Sequence, residues 1–329
     1  MSSAIEVKNL KKDYGSTKAL KGINFDLKKE EVLAFLGPNG AGKSTAMKII
    51  TSYLDATSGD VWVNGINVRE NPLKVREMIG YLPESTPLYE HMIVYDFLKF
   101  TGEVHNIPKD NLGERISEMA DTCGINEVIN KRIYELSKGY KQRVGLAYAM
   151  IHDPDILILD EPTSGLDPNQ IIEIRNLIRE LGKKKSVILS THILSEAEAA
   201  AERAVIIHLG EIVADGTVDD IRRNNKRQNR LHIKIKNESN NSDTIKNDIS
   251  SIDGVTEVKE IDSNNKVFTY EVISELNKDI REDIYTLCKE KNYLIFELRE
   301  KELSLEEVFI QLTRGEVPKN YEREKRIGV

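Results

Sequence analysis

One nine-residue run constrains this chain more than any other: Gly37-Pro38-Asn39-Gly40-Ala41-Gly42-Lys43-Ser44-Thr45. It follows a short apolar run, Val32–Leu36, that reads as a buried strand, and it opens a stretch with helical patterning, Thr45–Ser52. A GxxxxGK[ST] pattern in a strand–loop–helix setting is a cradle for a nucleoside triphosphate. A helix N-terminus offers unpaired N–H groups and the positive end of the aligned peptide dipoles. Glycines let the backbone close around phosphates where a Cβ would collide. Lys43 brings a point charge to the β- and γ-phosphates, Ser44 brings a hydroxyl to Mg²⁺, and Thr45 continues the cradle. At ordinary residue frequencies the pattern arises by chance in only about 1% of chains this long.

A second signal is Ile156-Leu157-Ile158-Leu159-Asp160-Glu161-Pro162, four apolar residues closed by two acids. A buried strand ends in carboxylates where something there needs charge. Asp160 is placed to hold Mg²⁺ through water, and Glu161 to face the γ-phosphate and polarise an attacking water. Apolar runs such as Ile156–Leu159 and Val187–Leu189, each followed by a turn and a helical pattern, predict a mostly parallel sheet covered by helices. Ile5–Val7, Ile23–Leu27 and Val61–Val63 suggest an antiparallel flank, while Lys109–Gly124 and Leu136–Ile151 read as a helical insert.

Three shorter pieces complete the pattern. Leu136-Ser137-Lys138-Gly139-Tyr140 precedes a helix, so the N–H groups of Ser137 and Gly139 can face an anion. Ser164-Gly165-Leu166-Asp167 follows the acid pair and could cross a subunit boundary. Ser190-Thr191-His192 closes the next strand, where an imidazole can donate to a γ-phosphate.

Taken in order, GPNGAGKST, LSKGYKQRVGL, ILILDEP, SGLD and STH resemble the ATP-binding subunit of ABC transporters over about residues 1–220. Gly80–Met92, the DPNQIIEIR run and Leu303–Leu312 look like the gliding-motility GldA-type branch, which is close to drug- and sodium-export ATPases. The resemblance implies a P-loop NTPase cassette, an α/β fold with a mostly parallel sheet, antiparallel flank and helical insert. It implies ATP and Mg²⁺ as ligands and ATP hydrolysis as the reaction. Tyr14 would stack on adenine. Two subunits, identical or different, would sandwich two ATP molecules, each lying between the Gly37–Thr45 loop of one chain and Ser137/Gly139 of the other. Glu161 would be the general base, His192 would link the γ-phosphate to it, and Asp167 would communicate across the dimer. Two departures stand out. Lys138 adds a charge to the segment that would meet the γ-phosphate, and Glu84, in YLPE, replaces the usual glutamine near Mg²⁺. A carboxylate is a hard oxygen donor and still suits that ion. Helices near Val94–Phe100, with Tyr89, Tyr95, Phe97 and Phe100, would receive a coupling helix of an integral membrane transport subunit.

Composition narrows the alternatives. No stretch approaches the ~18 apolar residues of a membrane span, so any membrane part belongs to another polypeptide. A net charge of -7 disfavours a general nucleic-acid binder. Cys123 and Cys288 lack CxxC spacing, which disfavours a disulfide framework. The opening MSSAIEVKNL has no apolar signal core. The expected location is cytoplasmic, peripheral on the inner face of the cell membrane. The competing reading is a soluble ABC-type ATPase on ribosomes or DNA. Such members usually carry tandem cassettes or long coiled-coil insertions, whereas this chain has one phosphate loop.

The expected domains are a cassette at 1–220, a basic linker at 221–230 with five basic residues and no acidic one, a second domain at 231–314 and a charged tail at 315–329. The second domain reads β-α-β-β-α-β, the ferredoxin-like plan, followed by an amphipathic helix at Ser304–Leu312.

Overall fold

The computed structural model describes residues 3–224, 228–237, 241–264, 266–276, 278–301 and 304–313. The chain divides into two compact units: Met1–Val218 together with the chain from Leu312, and Asp219–Gln311. The charged tail expected at 315–329 lies outside the described residues.

The first unit opens with β1 (Ser3–Tyr14), β2 (Thr17–Lys28), β3 (Val32–Leu36), α1 (Lys43–Ile50), β4 (Ser58–Val63) and β5 (Ile66–Asn67). Next come α2 (Pro72–Met78), β6 (Ile79–Leu82), α3 (Val94–Val104), α4 (Lys109–Cys123) and α5 (Lys138–Met150). It closes with β7 (Ile156–Asp160), α6 (Pro168–Gly182), β8 (Ser186–Thr191), α7 (Leu194–Ala200), β9 (Arg203–His208) and β10 (Glu211–Thr217).

A six-stranded sheet runs in the order β10-β9-β3-β8-β7-β6, parallel except for β10. An antiparallel sheet, β2-β1-β4-β5, forms the flank. Side-chain alternation along the parallel strands assigns residues to two cores. Ile156 and Ile158 of β7 join Leu33 and Phe35 of β3, α1 and the antiparallel sheet. Leu157 and Leu159 join Val187, Leu189 and the helical insert. Both faces are covered, which is why these strands are apolar throughout.

The helix expected at Thr45–Ser52 begins earlier, at Lys43, because Gly42 in the left-handed region (φ 110°) turns the chain directly into it. The stretch expected as a linker is also different. Helix α8 (Val218–Asn224) and strand β11 (Gln228–Lys236) take up most of 221–230, and 225–227 lie outside the described residues. The helix forms because Val218 and Ile221, three residues apart, both bury their side chains.

In the second unit, β11 is followed by α9 (Ser242–Ser250), β12 (Val255–Asn264), β13 (Val267–Glu275), α10 (Arg281–Glu290), β14 (Leu294–Glu300) and all but the last two residues of α11 (Leu305–Thr313). Its antiparallel sheet has the order β12-β13-β11-β14, so β13 separates β11 from β12, the split βαβ of a ferredoxin-like fold. Leu231, Ile233 and Ile235 pack with Tyr270, Ile245 and Ile284 in its core.

Candidate functional site

Three adjacent parallel strands, β3, β8 and β7, present the chemistry at their C-terminal ends. Ligand sites in such sheets lie just beyond those ends. After β3, the loop to α1 packs too closely for most side chains. A Cβ on Gly37 would lie 2.4 Å from the Ile207 carbonyl oxygen, and one on Gly42 would lie 2.7 Å from that of Ala19. Ala41 N donates to Pro38 O (3.1 Å) and Gly210 N donates to Ala41 O (3.0 Å), which fixes the loop. Gly40 has φ 80°, Asn39 is exposed, and Ser44 and Thr45 are half-buried in the first turn of α1. No side chain caps α1, so its first-turn N–H groups are left for a ligand. By contrast, the Ser137 hydroxyl caps α5 and the Asp167 carboxylate caps α6.

Lys43 is buried at the base of this loop. Its Nζ donates to Gly37 O at 2.8 Å and pairs with Glu161 Oε1 at 3.3 Å. Glu161 Oε2 accepts from His192 Nδ1 at 2.8 Å. Glu161 occupies the left-handed region, φ 53°, at a cost of about 1–3 kcal/mol for a non-glycine residue. Its amide donates to Ser190 O at 3.0 Å, so β8 helps to hold that conformation. Lys43, Glu161 and His192 therefore form one contiguous polar cluster.

A cleft of about 660 Å³ opens beside it and is lined by Ser44, Asp160 and Glu84, the residues expected at a metal. Asp160 Oδ1 is buried without a hydrogen-bond partner. Among the described residues no group of three or more His, Cys, Asp or Glu could hold a metal by itself. The chemistry of the donor set, one hydroxyl and carboxylate oxygens, fits a hard divalent cation whose remaining ligands are phosphates and water. Tyr81 also lines the cleft, and its buried hydroxyl has no partner. Burial, and secondarily the Asp160 charge, pushes that phenol well above its ordinary pKa.

Other expected residues lie apart from this cluster. Among the described residues no hydrogen bond or ion pair joins Ser137 or Gly139 to the Gly37–Thr45 loop. Asp167 Oδ1 accepts from Asn169 N and Gln170 N, both at 3.0 Å. Tyr14 is about half exposed at the tip of β1, with Lys12 Nζ 5.3 Å from its ring centroid. Lys138, expected beside a γ-phosphate, packs within its own chain. A Cβ on Gly165 would meet its Nζ at 2.1 Å. Phe97, expected in a docking groove, belongs to the core of the helical insert, whereas Tyr89, Tyr95 and Phe100 are exposed. The four aromatics look alike in sequence; of those within α3 only Phe97 lies on the inward face, and Tyr89 precedes the helix.

Sequence reasoning missed Thr163 and Glu196. Glu196 is buried and accepts from the hydroxyls of Thr163 (2.6 Å) and Thr191 (3.2 Å). An acid in the first turn of a helix ordinarily reads as a solvated charge favoured by the helix dipole, so nothing in the sequence marks it.

A family model described as ABC transporter matches residues 20–164. The chain is 39% identical over 218 residues to the uncharacterized ABC transporter ATP-binding protein YxlF of Bacillus subtilis, spanning 66% of this chain and 72% of that protein. It is 34% identical over 229 residues to the bacitracin transport ATP-binding protein BcrA of Bacillus licheniformis, spanning 69% and 74%. A solved ATP-binding subunit of an ABC transporter superposes with a TM-score of 0.62 at 32% identity, covering 68% of this chain and 93% of that one. A dimeric ATP-binding cassette in a post-hydrolysis state, bound to ADP and Pi, superposes with a TM-score of 0.60 at 25% identity, covering 65% and 98%.

Proposed function

Because the chain belongs to the ABC transporter ATP-binding proteins, we propose that it hydrolyses ATP to energise export through a separate membrane-spanning partner. The observation that carries this reading is the convergence of Lys43, Glu161 and His192 beside a cleft lined by Ser44 and Asp160.

Lys43 and the uncapped N–H groups of α1 bind and orient the triphosphate. Asp160, Ser44 and Glu84 would hold Mg²⁺, which supplies Lewis-acid neutralisation of phosphate charge when bound. Glu161 accepts a proton from water as the water oxygen bonds to the γ-phosphorus and the bond to the β-bridging oxygen breaks. ADP and inorganic phosphate result, and the proton passes to phosphate. His192 donates to the same carboxylate and so aims its free lone pairs. Tyr14 stacks on adenine.

Two chains, each supplying Ser137 and Gly139 to its partner's ATP, complete two sites. The ADP-bound dimeric cassette is a structural relative that supports this arrangement. Among the described residues no helix is long and apolar enough to cross a membrane. The membrane partner's cytoplasmic helix docks beside α3, against the exposed rings of Tyr89, Tyr95 and Phe100, and the chain sits on the inner membrane face. Relatives named for bacitracin transport and linearmycin resistance support export, while the gliding-motility resemblance rests on short segments alone.

The test is Glu161→Gln in membranes that contain the partner. We expect retained ATP binding, ATP-dependent dimers, hydrolysis slowed by at least about 100-fold, and co-purification with a multi-span protein. Parental turnover by that variant, or co-purification with ribosomes instead, overturns the reading.

A further inference from the structure

Glu196 plays no part in the chemistry above, yet it is among the most buried charged residues of the first unit, at 6% exposure. The carboxylate sits between two segments that each carry a site residue. Thr163 stands two residues past Glu161, and Thr191 immediately precedes His192. Both hydroxyls donate to the same oxygen, Glu196 Oε2, at 2.6 and 3.2 Å, while both threonines are themselves buried. Thr191 Oγ1 in turn accepts from Ile193 N at 3.1 Å, which anchors the chain just after His192. Glu196 Oε1 has no hydrogen-bond partner.

Burying a carboxylate is costly, and two hydroxyl donors to one oxygen offset only part of that cost. An apolar residue at this buried position would carry less penalty. What the carboxylate adds is direction, because it draws two separate chain segments to one point. We propose that Glu196 is a positioning residue. By clamping Thr163 and Thr191 it fixes the strand ends, so that Glu161 keeps its left-handed conformation and meets His192 at 2.8 Å. The inference rests on the roles proposed above for Glu161 and His192.

The clamp acts on catalytic geometry and not on the phosphate loop, so its loss should divide kcat from ATP affinity. Glu196→Ala should lower kcat by up to about 100-fold, the scale of an ångström's misplacement, with KM for ATP changed by less than about threefold. Glu196→Gln keeps a carbonyl oxygen for both hydroxyls and should retain most of the rate. In a His192→Ala background, Glu196→Ala should cost much less than it does alone, since groups acting as one unit are not additive. Thr163→Val and Thr191→Val, each removing one arm, should lower kcat with KM preserved and carry the test if Glu196→Ala does not fold. Parental kcat in the threonine and Glu196 variants, equal losses of kcat and ATP affinity, or an undiminished effect in the His192→Ala background overturns the proposal. Parental kcat in Glu161→Gln, by contrast, overturns the site reading itself.

Discussion

Lys43 Nζ stands 3.3 Å from Glu161 Oε1, with both side chains almost wholly buried. The proposed phosphate-binding cation and the proposed base thus neutralise one another. Lys43 also folds back on its own loop through Gly37 O. On the roles proposed above, a triphosphate has to draw Lys43 away from Glu161, which frees the carboxylate oxygen. Lys43→Ala should leave Glu161 buried without its cation and cost about 3 kcal/mol, the low end for breaking a buried pair, because His192 remains. It should also abolish the rise of Tm with ATP. Glu161→Gln should bind ATP at least as tightly as the parent, having lost the competing charge. Thermal unfolding with and without ATP measures both, and weaker ATP binding by Glu161→Gln would contradict the competition.

Much of that cluster was legible because each residue type has one steric or electrostatic reason to be where it is. Gly37 and Gly42 have backbone oxygens where a Cβ would go, and Asp160 ends a strand with no other use for charge. What stayed hidden depends on partners distant in sequence. The basic run at 221–230 reads as solvated until Arg230 is seen to pair with Glu307, 77 positions away. Phe97 and Tyr89 share a chemistry, and only packing makes one core and the other surface. Glu196 gains its meaning from Thr163, a residue 33 positions away.

Two glycines of similar appearance should respond oppositely to alanine. Gly42 has φ 110° and an Ala19 oxygen 2.7 Å from any added Cβ. Gly42→Ala should cost about 1–3 kcal/mol of stability and weaken ATP binding by distorting the cradle. Gly113 lies inside α4 with nothing within 4 Å of an added Cβ. Gly113→Ala should stabilise by about 0.5–1 kcal/mol through helix propensity and leave ATP binding unchanged. Urea denaturation and nucleotide titration check both variants.

His105 and His152 stack face to face, with ring centroids 4.0 Å apart. Burial first, then the His105 ring, pushes His152 from its ordinary 6.5 down to about 4; Arg115 and Lys185 add to the effect, and the Ile79 carbonyl opposes it. Burial lowers His105 as well. Between pH 6.5 and about 4 the unfolded chain therefore binds a proton at position 152 that the folded chain refuses. Stability then rises with pH across that window, and the loss on acidification disappears above it. Denaturation at pH 7 and pH 5 should show a smaller pH-dependent loss for His152→Gln than for the parent. An equal loss in both would place the acid sensitivity elsewhere.

Asp167 has one duty in the fold and a second, proposed one across a dimer. Its Oδ1 accepts from Asn169 N and Gln170 N, so it caps α6, and the family resemblance also gives it a role across the dimer. Asp167→Ala should lose about 1 kcal/mol of stability through the missing cap and should lower ATP turnover. Asp167→Ser restores a capping hydroxyl without the charge. It should recover the Tm of the parent and still hydrolyse ATP slowly, because a partner subunit would meet a neutral group where it needs a carboxylate. Recovery of turnover along with Tm would reduce Asp167 to a helix cap and remove it from communication between subunits. The two readouts on these two variants thus separate a fold-level role from an intersubunit one at a single side chain.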